Sequence, residues 1–299
     1  MTHVPMAVPG PSELRMSLER HLDELPVLPT TLVAMMRLER SSESYFDDLV
    51  RLIEREPTYA ARVLALANSA AVRGASRPTR IRDAVLRIGA STTTNLVVTL
   101  AVARVFVPTN AWERSLWVHA IHVATIARAL AGRCELSPYK ADDVYLCGLL
   151  HDIGRFILFH EAPAALRQVD EATWSSPADL LAAETAICGI DHAALGAKAL
   201  EKWGLPAPIV AAVRDHHRAT GTDPLAKVTA LVRAVDRLDF HEVSPSHRTG
   251  EAAPPPDDDA ALQRIRTVMP PWFPLRAEAV APVVHAAHEE AAATLRELL

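Results

Sequence analysis

Apolar residues in this chain recur three and four positions apart, and few runs alternate apolar with polar residues. In the stretch from 45 to 55, Phe46, Leu49, Leu52 and Ile53 fall at helical spacing. Glycine is scarce, at 11 of 299 residues, while alanine and leucine are abundant, so little opposes helix propagation. This periodicity predicts an all-α fold. The prolines agree with it. Pro57, Pro163 and Pro177 stand where helices are expected to begin, and a first turn loses nothing by lacking an N–H.

The length suffices for two subdomains. We expect a flexible tail at 1–11, an N-terminal helical subdomain at 12–110 and a second helical subdomain at 111–241. A linker rich in Pro, Ser and Asp at 242–259 and a C-terminal helical extension at 260–299 complete the chain. Ser12 is expected to cap the first helix, and Ser91 or Thr92 the apolar helix that runs toward Phe106. In the second half, helices are expected at 111–134, 140–159 and 225–239, with Asp191 capping the helix that begins at His192.

A formal net charge of −5 gives no footprint for general nucleic-acid binding. The apolar run from Leu96 to Val107 is too short to span a bilayer and contains Arg104, so it reads as a buried helix rather than a membrane segment. Cys134, Cys147 and Cys188 are odd in number and form no close pair, and the first residues do not read as a signal peptide. Both features fit a cytoplasmic location.

Five short stretches carry the chemistry: His119, His151-Asp152, His192, His216-His217 and Asp236. Imidazole and carboxylate together suit first-row divalent metals, and two such ions close together can clamp both oxygens of a phosphoryl transfer. Each stretch alone has a plainer reading. His151 could be a core histidine beside a solvated Asp152, since helix neighbours diverge by about 100°. His216-His217 could cap a helix end, His192 could be an ordinary first-turn residue, and Asp236 could pair with Arg233 or Arg237. His122 competes with His119. It is the recurrence of all of them, each in an apolar helical setting, that points to a metal site.

The order H…HD…H…HH…D resembles the HD superfamily of metal-dependent phosphohydrolases, and HDIG at 151–154 with the HH pair resembles its HD-GYP branch, which hydrolyses cyclic di-GMP. The wider pattern resembles HDOD proteins more closely. It runs from LPVLPTTLVAMM through IRDAVLRIGA, SLWVHAIHVA and CGLLHDIGR to DHAALGAKALEKWGLPAPIVAAVRDHH, over about residues 20–240. That resemblance implies an N-terminal helical bundle packed on an HD-type helical bundle, and a bacterial signalling module that binds a partner protein or a nucleotide second messenger. It implies metal ligands at His119, His151, Asp152, His192, His216, His217 and Asp236, holding two divalent ions such as iron or manganese. The alternative is a phosphohydrolase acting on a cyclic dinucleotide or nucleotide, with His151 and Asp152 as catalytic residues. No GYP tripeptide follows the HH pair, and Arg155 replaces the lysine that follows HDIG in the active cyclic-dinucleotide enzymes.

Arg155, Lys198 and Lys202 are candidates for phosphate binding, as are Arg77 and Arg80 within the cluster Arg73, Arg77, Arg80, Arg82 and Arg87. For each, a solvated helix face or loop is the plainer reading. Trp112, Trp117 and Trp203 read as core, Met35 and Met36 as core filler, and Trp272 as an anchor for the tail or for a partner.

Overall fold

Asn110 starts the helix around which the second half is arranged. Its side chain accepts from the backbone N of Glu113, and the Glu113 carboxylate in turn accepts from the Thr109 hydroxyl at 2.6 Å. The structure is a computed structural model and describes residues 10–22, 30–69, 77–172, 174, 176–218, 221–239 and 258–298. Its helices are α1 (Pro11–His21), α2 (Thr30–Met36), α3 (Tyr45–Glu54), α4 (Pro57–Ala67), α5 (Ile81–Ile88), α6 (Ala90–Val105), α7 (Ala111–Ala131) and α8 (Ala141–Leu150). There follow α9 (Ile153–Glu161), α10 (Pro163–Glu171), α11 (Pro177–Cys188), α12 (His192–Lys202), α13 (Ala207–Asp215), α14 (Pro224–Asp239), α15 (Asp258–Val268) and α16 (Ala277–Leu298). Among the described residues there is no strand, so the fold is all-α as expected.

Helices α2 to α6 pack on one another. The second group centres on α7, which packs against α8, α14 and α16, while α12 joins α9 to α13. α6 meets α8 and so connects the groups, and one apolar core runs from Leu14 to Ala291. α1 packs on α9 and α11, so its contacts lie with the second group. The tail at 1–9 and most of the linker, 240–257, lie outside the described residues, as does Arg73. No single described helix is long and apolar enough to cross a membrane, and the core of the apolar run in α6 is buried.

Several helix starts differ from expectation. α1 begins at Pro11 after an extended Gly10, so Ser12 is inside the helix rather than its cap. α6 begins at Ala90, directly after Gly89 turns the chain with φ of 88°, ahead of Ser91 and Thr92. Asp191 does cap α12, accepting from the Ala194 backbone N at 2.7 Å.

Two glycines decide how closely the second group packs. A Cβ on Gly148 would stand 2.8 Å from the Ala124 Cα, so α8 crosses α7 backbone to backbone. A Cβ on Gly154 would run into the carbonyl oxygen of His192. Gly154 thus lets the start of α9 touch the start of α12. Trp117 fills the core beside Phe156 and donates its indole N–H to the Phe106 carbonyl at 2.9 Å. Trp112 packs on Phe159, and Trp203 is buried. Trp272 docks on the body of its own chain, with the Lys227 ammonium 5.7 Å from its ring centre.

The close crossing at Gly154 is testable. Gly154→Ala is expected to destabilise the fold by about 1–3 kcal/mol or more, the usual cost of overpacking. At Gly132, where an added Cβ meets only ordinary contact at 3.6 Å, alanine is expected to be neutral or slightly stabilising. Urea denaturation reads both, and an unaltered Gly154→Ala midpoint would contradict the crossing.

Candidate metal centre

Four helix ends and two helix faces bring the seven candidate ligands together. His119 projects from the middle of α7 and Asp236 from the last turn of α14. His151 closes α8, Asp152 opens α9, His192 opens α12, and His216 closes α13 with His217 next. The expected single helix from 140 to 159 is therefore corrected: it breaks at His151-Asp152. Within a helix these neighbours would diverge by about 100°, whereas at the break both turn inward.

The distances define two groups. The His119 Nε2 lies 3.2 Å from the His151 Nε2 and 3.4 Å from the Asp236 Oδ1. The His192 Nε2 lies 3.0 Å from the His217 Nε2 and 3.4 Å from the His216 Nε2. Asp152 stands between, with Oδ1 3.1 Å from the His192 Nε2 and Oδ2 3.7 Å from the His119 Nε2. The ligand atoms of Asp152, His192, His216 and His217 lie within 4.8 Å of one another, as do those of His119, His151 and Asp236. Asp152 sorts with the HH group rather than with His151, but its second oxygen faces the other group.

The opposite ring nitrogens fix which way the lone pairs point. His151 Nδ1 donates to the Gly148 carbonyl at 2.7 Å and His216 Nδ1 to the Val213 carbonyl at 2.6 Å. His119 Nδ1 donates to the Asp239 Oδ2 and His192 Nδ1 to the Glu184 Oε2, each at 2.6 Å. All four acceptors are oxygens that can only accept, so each Nδ1 holds its proton and each Nε2 faces the centre. Six of the seven ligands are buried, His151 and His216 completely, and His217 is half-buried. Asp236 Oδ2 is buried without a hydrogen-bond partner. Converging nitrogen lone pairs and an orphaned carboxylate oxygen form a donor set that fits a divalent cation.

Sequence reasoning missed the outer residues. Glu184, fully buried on α11, holds His192 by both its ring and its backbone N, the latter at 2.8 Å. Asp239 serves His119 with one oxygen and His122 with the other, at 3.2 Å. His122 therefore lies one layer out, and its ring packs edge-on against His288 of α16 at 4.5 Å. The available signal was spacing: Asp239 follows Asp236 by three residues, as His122 follows His119, on shared helix faces. Glu184 had no such signal.

The cation candidates fare differently. Arg155 is buried and donates to Asp170 at 2.8 Å, so it is an internal ion pair rather than a phosphate ligand. Lys198 is turned to Glu19 of α1 at 3.2 Å. Lys202 is exposed ten residues beyond His192, ~15 Å along α12. Arg77 and Arg80 are exposed in the segment before α5, Arg82 pairs with Asp47, and Arg87 reaches the Ala67 carbonyl. The structure brings none of these cations into the cluster.

Burial disfavours charge on every group here, and the balance differs from one to the next. For His192 the charges of Glu184 and Asp152 outweigh burial and raise the pKa to about 10. For His119 burial is likewise overcome, by Asp236 and Asp239, and its pKa stands well above the usual imidazole value. Burial keeps His216 well below that value and lowers His217 to about 4, with neighbouring imidazoles adding to the effect. Asp152 and Asp236 stay ionised despite burial because imidazoles surround them. Without another cation, protons on His119 and His192 balance these carboxylates.

The HDOD domain family matches residues 25–219. An uncharacterized protein of Treponema pallidum (strain Nichols) is 29% identical over 208 residues, 69% of this chain, and this chain spans 40% of that relative's length. An HDOD domain protein of unknown function from Geobacter sulfurreducens has a similar structure, with a TM-score of 0.71 and 24% identity over 96% of this chain and 99% of that one. A protein from Shewanella amazonensis SB2B, provisionally called a phosphohydrolase, is similar with a TM-score of 0.68 and 23% identity over 95% of this chain and 98% of that one. At these identities the solved structures establish the fold alone.

Two outcomes are expected for the centre. A cation bound there displaces the Nε2 protons of His119 and His192, so Mn2+ affinity should rise with pH between 6 and 8, by about tenfold per pH unit for each proton released. Calorimetry in buffers of different ionisation enthalpy counts those protons, and a flat profile would contradict the charge assignment. Glu184→Gln and Asp239→Asn should each weaken Mn2+ binding by about 10–100-fold, the usual effect of losing an outer carboxylate.

Proposed function

The chain belongs to the HDOD domain family, and from that membership and the convergence of its seven imidazole and carboxylate side chains we propose a metal-binding signalling module of the bacterial cytoplasm. His119, His151 and Asp236 would hold one divalent ion, and His192, His216 and His217 another, with an oxygen of Asp152 toward each. Iron, manganese or another first-row metal suits this set. The module would act by binding a partner protein or a nucleotide second messenger, alone or as an oligomer. The observation that carries the metal reading is the set of four imidazoles whose Nδ1 protons are committed outward. Burial of the ligands favours a module over an open catalytic cleft, because structural sites are closed by protein ligands and catalytic ones keep a position free.

A second reading, a metal-dependent phosphohydrolase acting on a cyclic dinucleotide or nucleotide, draws support from one observation. The group of His119, His151 and Asp236 has three ligands of its own, the number found where a coordination position is left for water or substrate. Bound divalent ions would supply an activated water and polarise a phosphate ester. In that reading the chain's own part is positional. The Gly148 and Val213 carbonyls orient His151 and His216, and Asp152 faces both groups. Arg155, paired with Asp170, would not serve the phosphate.

Elemental analysis of the purified protein beside the His151→Ala, Asp152→Ala double variant tests both readings. The proposal expects metal in the parent and its loss in the variant, with no hydrolysis of cyclic di-GMP or bis(4-nitrophenyl) phosphate by the manganese-loaded parent. Metal-dependent turnover lost in the variant would favour the enzyme. No metal after anaerobic loading with iron or manganese would sink both.

A further inference from the structure

A cavity of about 610 Å³ lies between the two helix groups, away from the cluster. Pockets of ~300–1,000 Å³ with apolar walls and a few polar groups are the usual size for a small-molecule ligand. Met35 and Met36 of α2 form one wall, and Leu146 and Cys147 of α8, Ile209 of α13 and Val228 of α14 form the other. Met35, buried in the core as expected, and Met36, packed against that core, also line this cavity, and their flexible thioethers suit a ligand surface that must adapt.

The polar groups at the rim are mostly satisfied within the wall. Ser41 donates to Glu39 at 3.0 Å. Arg40 pairs with Asp142 at 3.1 Å and with Asp143 at 3.6 Å. Asp143 also accepts from the Lys140 backbone N at 2.8 Å, and Thr94 donates to the Ala90 carbonyl. Two donors are left over. Lys140, exposed at the rim, and Tyr139, half-buried, both line the cavity, and neither side chain has a side-chain partner among the described residues. Neighbouring donors above an apolar wall call for a ligand with an apolar body and one acidic group.

We propose that this cavity binds a small amphipathic monoanion, its body against the Met35, Leu146 and Ile209 wall and its acidic group at Lys140 and Tyr139. The site serves as an input to the module, because three of its wall helices also carry cluster residues. Cys147 stands one turn before His151 on α8, Ile209 two turns before His216 on α13, and Val228 about two turns before Asp236 on α14. A ligand that shifts these helices shifts the cluster side chains they carry, two imidazoles and the Asp236 carboxylate. Binding itself does not depend on the metal reading.

Calorimetric titration of the full chain with decanoate, and with decanol as the uncharged counterpart, tests the proposal. Decanoate should bind saturably at one site per chain. Lys140→Glu should weaken decanoate by about tenfold or more, the scale of one charge-assisted hydrogen bond, and leave decanol unchanged. Met36→Trp on one wall and, on the other, Leu225→Trp at the start of α14, a position that also lines the cavity, should each fill it and abolish both, with the thermal midpoint reporting that each variant folds. The His151→Ala, Asp152→Ala variant should keep decanoate binding, so a failed metal centre and a failed cavity are told apart. Absence of saturable binding, or binding indifferent to either tryptophan in a folded variant, would overturn the site. Equal loss of decanoate and decanol in Lys140→Glu would overturn the anionic head group.

Discussion

The cluster depends on four Nδ1–H groups whose acceptors lie outside it. Were they free, each close imidazole pair could settle into an ordinary N–H···N hydrogen bond and no ion would be needed. Because Gly148, Val213, Asp239 and Glu184 accept hydrogen bonds from those N–H groups, the Nε2 atoms of His119 and His151 meet at 3.2 Å with nothing of their own to share. A further proton or a metal ion must stand between them. The fold exists, in this sense, to deliver helix ends. The breaks at His151-Asp152 and after Asp215 turn consecutive side chains to one point, and Gly148 and Gly154 let the helices approach closely enough for that point to be shared.

Charge then follows from burial. Asp152, Asp236, Asp239 and Glu184 are all buried, and uncompensated buried carboxylates are too costly to keep. Arg155 is directed to Asp170, so the balance near the centre must come from imidazolium or from a cation. The raised pKa of His192 and the lowered pKa of His217 belong together: Glu184 and Asp152 outweigh burial at His192, whereas burial and the neighbouring His192 charge keep His217 neutral.

How much of this was legible beforehand differs residue by residue. The helical class was, because periodicity and scarce glycine act locally. The seven cluster residues were, because their order and apolar setting survive in one dimension. The break within 140–159 was not: the apolar run is continuous, and the close approach of Gly154 to His192 that accompanies the break joins residues far apart in the chain. Arg155 looked available because it follows HDIG, but its partner Asp170 is fifteen residues away and its burial is a tertiary fact. Glu184 lies in a largely apolar helix and resembles any surface carboxylate until the turn at Gly189 after α11 brings His192 to it. Met35 and Met36 read equally as filler or as wall, since the cavity is formed by helices far apart in the chain.

The C-terminal helix adds a connection that lies beyond the family match at 25–219. His288 of α16 rests on His122, His122 on Asp239, and Asp239 on His119, so the extension reaches the second layer of the cluster. All of this presumes an ion at the centre. The most direct measurement is anomalous diffraction at the manganese edge from crystals grown with Mn2+. Anomalous peaks are expected enclosed by the imidazole nitrogens of His119, His151, His192, His216 and His217 and the oxygens of Asp152 and Asp236. A well-ordered cluster with no anomalous peak, its imidazoles hydrogen-bonded directly to one another, would contradict this arrangement.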